Sequence, residues 1–372
     1  MLVLLVQWEG PADAAQGVRA TPVLVAAGAA EDATASNNQV KLIQTPAGLV
    51  AAYSGATGGP TQVFLSISRD GGAHWARIAQ ASSGPVPSRL AALALDGSGR
   101  VHVVWTRYDD GVGKIYHRVW AGGWTGPQER ISPSPGYAGY PSLALDRAGH
   151  PQVVWYGIRE GAVVAPTRHQ SIYEIYYVGF DGRAWSPPLL ISPGVPDSVN
   201  PALASDRTGR LYAAWYQYDG RAYQIRYAER TGAWSAPEGV FRTRADDFNP
   251  DLAVDPRGQV SLAWEHHDGQ RSVIQYARRV AGRWEGPVAL SDSASQALHP
   301  SVALGAAGQV TVLWDQDDGQ VYLRRYAGRW GPVVRLTSDG GNTFPAASAA
   351  GAVWTHTAAA GAAVYFVPLP PR

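Results

Sequence analysis

The 372-residue chain has no cysteine, one methionine and only two lysines, Lys41 and Lys114. The missing thiols exclude disulfides, thiol nucleophiles and Cys-ligated zinc. Basic residues number 31 against 30 acidic ones and never form a block of five, which argues against a nucleic-acid scaffold. Arginine carries nearly all the positive charge, and isolated arginines suit bidentate contacts to carboxylates or other anions. Long apolar runs are missing too. The opening MLVLLVQW is eight residues without a basic flank, too short for a membrane span and poor as a signal peptide, so it reads as a strand. Glycine-rich stretches lack the Lys-Ser/Thr ending of a nucleotide loop. H-E-x-x-H spacing is absent: Glu265, His266 and His267 share one strand, where neighbours diverge. Asp109-Asp110-Gly111 and Asp317-Asp318-Gly319 suit turns better than calcium loops. No cofactor and no metal are expected.

Tryptophan is abundant instead, at 14 residues, and twelve of these fall into two series. Trp105, Trp155, Trp215, Trp264, Trp314 and Trp354 each end a strand that follows a turn, and Tyr53 holds the same place, at intervals of 40 to 60 residues. Trp75, Trp124, Trp185, Trp234, Trp284 and Trp330 each precede a further short strand. Between them a unit recurs: a short strand (PSLALD, PALASD, PDLAVD), a turn such as DRAG or DPRG, a second strand ending in Trp, a polar Asp-Gly loop, a third strand and a fourth ending in LIS, ALS or RLT. Apolar positions alternate with period two, so these are strands.

Four short antiparallel strands per roughly 50 residues make a propeller blade, which buries its faces only between neighbours. The sequence therefore predicts an all-β propeller of seven four-stranded blades, with six as the alternative. One domain spans the chain, with blades over about 38–84, 85–133, 139–192, 198–243, 247–291, 298–337 and 344–372. The last repeat lacks a fourth strand, and the segment 22–26 is expected to supply it and close the ring, with residues 2–7 as a rival.

The stretch Ser68-x-Asp70-x-Gly72-x-His74-Trp75 resembles the Asp-box (BNR repeat) of sialidase-like propellers, with His74 where Thr is usual. The resemblance implies a structural turn between third and fourth strands, away from substrate. Sialidases of that family use three arginines, a Tyr–Glu pair and an Asp acid. Here Arg19 loosely resembles one family arginine, Arg89, Arg107 and Arg168 are further candidates, and Tyr173-Glu174 are adjacent in a strand, where they face opposite sides. Related seven-bladed polysaccharide lyases use His, Tyr and Arg for proton abstraction, and His169, His299, Tyr140 and Arg168 supply those types.

Propeller connectivity places the second-to-third and fourth-to-first loops on one face. Tyr140, Asn200, Asn249, His299 and Phe344 enter successive first strands, each before a proline, and Arg89 is read as their counterpart in blade two. Their variation suggests a ligand ring about the axis; the alternative is a solvated funnel. Glu265 and Asp315 follow Trp264 and Trp314 at matching positions and can act as an acid/base pair or as rim charges. An insertion after Trp155 carries Arg159, Glu160, Arg168 and His169 over the same face, as a lid or as a neutral loop. The leading reading is a glycan-binding propeller. Its alternatives are a carbohydrate-active enzyme, either sialidase-like hydrolase or polysaccharide lyase, and a protein-interaction scaffold. The expected partner is a carbohydrate or a protein, with neither nucleic acid nor a membrane span, and the expected location is extracytoplasmic or secreted.

Overall fold

The period-two alternation becomes 29 strands in a computed structural model that describes residues 16–17, 21–36, 38–56, 58–133, 136–158, 173–192, 197–292, 294–305 and 308–369. Twenty-eight of them form seven four-stranded antiparallel blades. In blade five the strands Asp246–Val254, Val260–His267, Ser272–Val280 and Arg283–Ala289 pair in sequence order. Blades two, three, four and six repeat that order with fourth strands only two residues long. A hydroxyl follows the fourth strand in blades two, three, five and six: Ser132, Ser192, Ser291 and Thr337 accept the third-strand N–H of Ile115, Ile175, Ile274 and Val321 at 2.9–3.0 Å. Ser82 does the same for Val63 in blade one.

Closure is non-covalent. Blade seven consists of Asn342–Ala347, Gly351–Ala358 and Gly361–Pro368, and its outer strand is the N-terminal Val23–Ala29. That strand runs antiparallel to Gly361–Pro368 with Val23 opposite Phe366 and Ala27 opposite Ala363. The expected closing strand is therefore present and extends to Ala29. Its rival at residues 2–7 lies outside the described residues. One strand was not foreseen: Gln16–Gly17 adds in parallel to Val334–Arg335 and covers the outer edge of blade six.

The core lies between blades. Trp105, Trp155, Trp215, Trp264, Trp314, Trp354 and Tyr53 are all buried. Members of the second series sit edge-on against a third-strand aromatic ring of the preceding blade, Trp234 on Tyr177, Trp284 on Tyr227 and Trp330 on Tyr276, at 4.8–5.4 Å. Trp75 meets Phe366 at 5.3 Å in the same way. The turn before it is tied by Asp70, which accepts hydrogen bonds from the Ser68 hydroxyl and the His74 N–H, while the Ser68 hydroxyl accepts the Gly72 N–H. Gly72 has φ +104°, and a Cβ there would lie 2.0 Å from the Phe366 ring. The stretch SISRDGGAHW is thus a turn that seats Trp75 on the closing blade.

Residues 33–36 and 38–41, between the closing strand and blade one, lie across the axis. Their polar side chains reach innermost carbonyls of four blades: Thr34 to Phe344, Asn38 to Pro201, Gln39 to Pro141 and Lys41 to Ala91. These distances span 2.6–2.8 Å. Lys41 is buried, and loss of solvent pulls its ammonium pKa down to about 7 against the opposing charge of Asp32. The axis is plugged, so the funnel has a floor. Among the described residues no helix is long and apolar enough to cross a membrane.

Candidate functional site at the axial face

A bulge places the ring residues. In six blades the pairing of first with second strand slips, between Arg89 and Ala92, Gly139 and Ser142, Val199 and Ala202, Phe248 and Asp251, Leu298 and Ser301, and Thr343 and Ala346. The first residue of each slip has a left-handed backbone: Leu90, Tyr140, Asn200, Asn249, His299 and Phe344, with φ of 47° to 58°. Such a conformation is unfavourable for bulky side chains, and bulges re-aim the side chains they carry. The slip corrects the alignment of blade two. Leu90, not Arg89, is the counterpart of Tyr140, because without the proline the sequence offered no anchor for the register.

From blade four to blade seven the ring side chains bond to one another. Asn200 donates from Nδ2 to Asn249 Oδ1 at 2.7 Å, and Asn249 Nδ2 donates to Glu265 Oε1 at 3.0 Å. The same Glu265 oxygen accepts the His299 backbone N–H at 2.7 Å. His299 Nδ1 meets Asp315 Oδ1 at 2.9 Å, and Thr343 donates to Asp315 Oδ2 at 3.2 Å. Phe344 packs against the imidazole with ring centres 4.5 Å apart. Glu265 and Asp315 are both buried, so they meet through His299. Burial holds the Glu265 pKa above the carboxylate range although His299 and Asn249 oppose it. For His299 burial disfavours the charged form, but the bond to Asp315 and the charges of Asp315 and Glu265 outweigh it and raise the pKa.

Blades three and four contribute aromatic rings. Tyr140 stacks on Tyr156 at 5.1 Å, and Tyr156 meets Tyr173 edge-on at 5.2 Å. Tyr216 contacts Tyr223 and Phe248 at 5.4 and 5.3 Å. Burial raises the hydroxyl pKa of Tyr216, with Tyr223, Glu265, Asp197 and Tyr140 adding to it. Burial likewise keeps Tyr140 protonated at neutral pH.

The remaining sequence candidates go elsewhere. Arg89 approaches the ring but is held by Asp32 at 2.6 Å. Arg107 pairs with Asp109 at 2.7 Å and lies over the Tyr116 ring, outside the ring network. Arg19, Arg168, His169 and the rest of the blade-three insertion from 159 to 172 lie outside the described residues. Tyr173 joins the tyrosine cluster, whereas Glu174 accepts a hydrogen bond from Tyr176 at 3.2 Å, as the alternation of a strand demands. His266 pairs with Asp247 at 2.7 Å and His267 with Ser272 at 3.2 Å, so adjacent histidines do diverge. Among the described residues no His/Asp/Glu group is arranged to hold a metal ion. Sequence reasoning missed Tyr156, Tyr216 and the axial plug. The two tyrosines directly follow Trp155 and Trp215, the positions matching Glu265 and Asp315, so the repeat itself could have supplied them.

The fold and ring define a seven-bladed β-propeller with a polar, aromatic axial site on a plugged floor. No family profile matches the sequence, and no curated protein matches it. Solved structures share the fold at low identity. A polysaccharide lyase of family PL25, an ulvan lyase, is 13% identical with TM-score 0.64, covering 94% of this chain and 96% of its own. A Mycobacterium tuberculosis puromycin-hydrolyzing peptidase is 18% identical with TM-score 0.57, covering 94% of this chain and 55% of its own. A Hadza microbial sialidase is 12% identical with TM-score 0.52, covering 86% and 73%. At 12–18% identity the likeness shows a shared propeller fold and no family.

Proposed function

We propose that the protein is a carbohydrate-active enzyme of the polysaccharide lyase type, acting at the axial face with His299 as general base. One observation carries the reading: His299 stands on a left-handed bulge with Nδ1 fixed by a buried carboxylate, which leaves Nε2 as the nitrogen for chemistry. Asp315 then orients the ring and stabilises the imidazolium once a proton arrives. In β-elimination His299 takes the proton on C5 of a uronate, and the electron pair forms the C4–C5 double bond. The glycosidic C4–O bond breaks, and the departing oxygen receives a proton from a tyrosine hydroxyl. Tyr140 and Tyr216 are the candidate acids, since both belong to the aromatic part of the ring. The overall likeness to an ulvan lyase supports the fold and assigns no residue.

A sialidase reading has less support. Arg89 and Arg107 are committed to separate aspartates, and Glu174 is engaged by Tyr176 rather than by Tyr173. The test is an incubation with uronate polymers, following unsaturated uronate by ultraviolet absorbance and reducing ends in parallel. Both products should appear together, and His299→Ala should slow the reaction by about 10²-fold or more. Reducing ends without unsaturation would make the protein a hydrolase. Glycan binding without either product would return the site to a binding function.

A further inference from the structure

Two departures from the repeat meet at blade four, on its side toward blade five. Opposite the buried tryptophan, the third strand carries an aromatic ring in four blades: Tyr116, Tyr176, Tyr322 and Tyr365 pair with Trp105, Trp155, Trp314 and Trp354. In blade four Arg226 stands opposite Trp215 instead. The hydroxyl that ends the fourth strand in blades one, two, three, five and six is replaced by Phe241, which stacks on Trp264 at 6.1 Å. The loop that follows is gripped by Gln224, which accepts the Thr243 N–H at 2.9 Å and donates to the Ala245 carbonyl at 3.0 Å.

The result is an arginine-lined groove. Two cavities of about 550 and 450 Å³ share Asp219 and Arg242; Arg226 lines the first, and Arg221 and Arg244 line the second. Among the described residues none of these four arginines is in an ion pair within 4 Å. Arg226 Nε is buried without a hydrogen-bond partner. The only carboxylate among the described lining residues, Asp219, is turned back on its own loop, accepting the N–H groups of Arg221 and Ala222 at 3.0 and 3.1 Å. Four unpaired guanidinium groups around one acid, in a chain whose net charge is +1, form a local positive field. Planar guanidinium forks match carboxylate and sulfate oxygens. The two loops lead into the strands that carry Tyr223 and Phe248, which both meet Tyr216.

We infer that this groove binds anionic substituents, sulfate ester or carboxylate, on a polysaccharide chain that continues from the axial site toward the rim between blades four and five. The inference rests on the proposed carbohydrate reading for its ligand class and on the arginines for its place. The absence of any basic block and the four-charge size of the patch favour a glycan over a nucleic acid.

The test is calorimetric titration of the full chain with heparin oligosaccharides, polygalacturonate oligomers, neutral dextran and a single-stranded DNA of matched charge. The exposed double variant Arg242→Glu/Arg244→Glu is compared throughout, with its melting temperature as the folding control. Binding to at least one anionic glycan is expected, weakening with salt and falling at least tenfold in the variant, while dextran does not bind. Heparin alone would assign sulfate ester; polygalacturonate as well would assign carboxylate. Equal affinity of variant and parent, or DNA binding as tight as glycan binding, overturns the inference. If the variant keeps its binding while His299→Ala abolishes turnover, the groove falls and the enzyme reading stands. If the variant loses binding and no polymer is turned over, the groove stands and the enzyme reading falls.

Discussion

Two rings of side chains circle the axis, and they obey opposite rules. The outer ring repeats one residue: six of its seven positions are tryptophan, and every one is buried between blades. The inner ring repeats one backbone conformation, with φ of 47° to 58° at six positions, and varies the residue among Leu, Tyr, Asn, His and Phe, repeating only Asn. A packed seam needs a fixed volume, so its side chain is specified. The inner position needs only a direction, so its functional group is free to vary. Side chains at such strained positions are candidates for chemistry, whereas repeated buried ones are candidates for stability.

The largest effect should come from opening the ring itself. Removing residues 1–29 deletes the fourth strand of blade seven and strips the backbone partners from Gly361–Pro368. The truncated protein should lose cooperative unfolding or melt far below the full chain, as followed by circular dichroism. An unchanged melting temperature would mean that the closing strand contributes nothing to the outer ring's stability.

The contrast between the rings is tested next by paired substitutions. Trp155→Ala empties a fully packed seam and should cost about 3–5 kcal/mol. Asn200→Ala removes a half-buried hydrogen bond to Asn249 and should cost about 1 kcal/mol, while weakening any ligand bound at the axial face. Equal losses in urea unfolding would erase the distinction between the two rings.

The legibility of the molecule follows the same division. The Trp intervals and the Asp-Gly turns exposed the seven blades, because both repeat along the chain with a mechanism that sequence can show. The closing strand was legible because one blade lacked a fourth strand. The plug was not, since Thr34, Asn38, Gln39 and Lys41 follow no period and find their partners only when the ring closes. The ring positions were readable wherever proline marked the bulge and failed by one residue at Leu90, where it does not. The groove between blades four and five is visible only as a set of exceptions, which needs the register of every blade at once.

The last of the expected effects, which appears only on acidification, concerns an exception within the outer seams. Where blade three pairs Gln152 with Tyr177, blade two holds His102 and His117, with His102 Nδ1 and His117 Nε2 3.1 Å apart and Trp185 edge-on to His117 at 5.2 Å. Burial lowers the His102 pKa to about 4, the neighbouring His117 adds to this, and Asp96 opposes it. A histidine depressed in the folded state is neutral there while its unfolded counterpart takes up a proton below about pH 6.5. The unfolded chain then binds the extra proton, so stability rises with pH between about 4 and 6.5 and is lost on acidification through that window. Two residues restored to the blade-three pattern, His102→Gln with His117→Tyr, should remove this dependence. Unfolding free energies of the two proteins, from urea titrations, should differ little at pH 7 and separate as the pH falls to 5, by an amount on the order of 2 kcal/mol at most. Comparing the two profiles cancels His266 and His299, whose raised pKa values act in the opposite sense in both proteins. Parallel profiles would show that the histidine pair takes its proton without disturbing the seam, and that this position tolerates charge as freely as the inner ring tolerates variety.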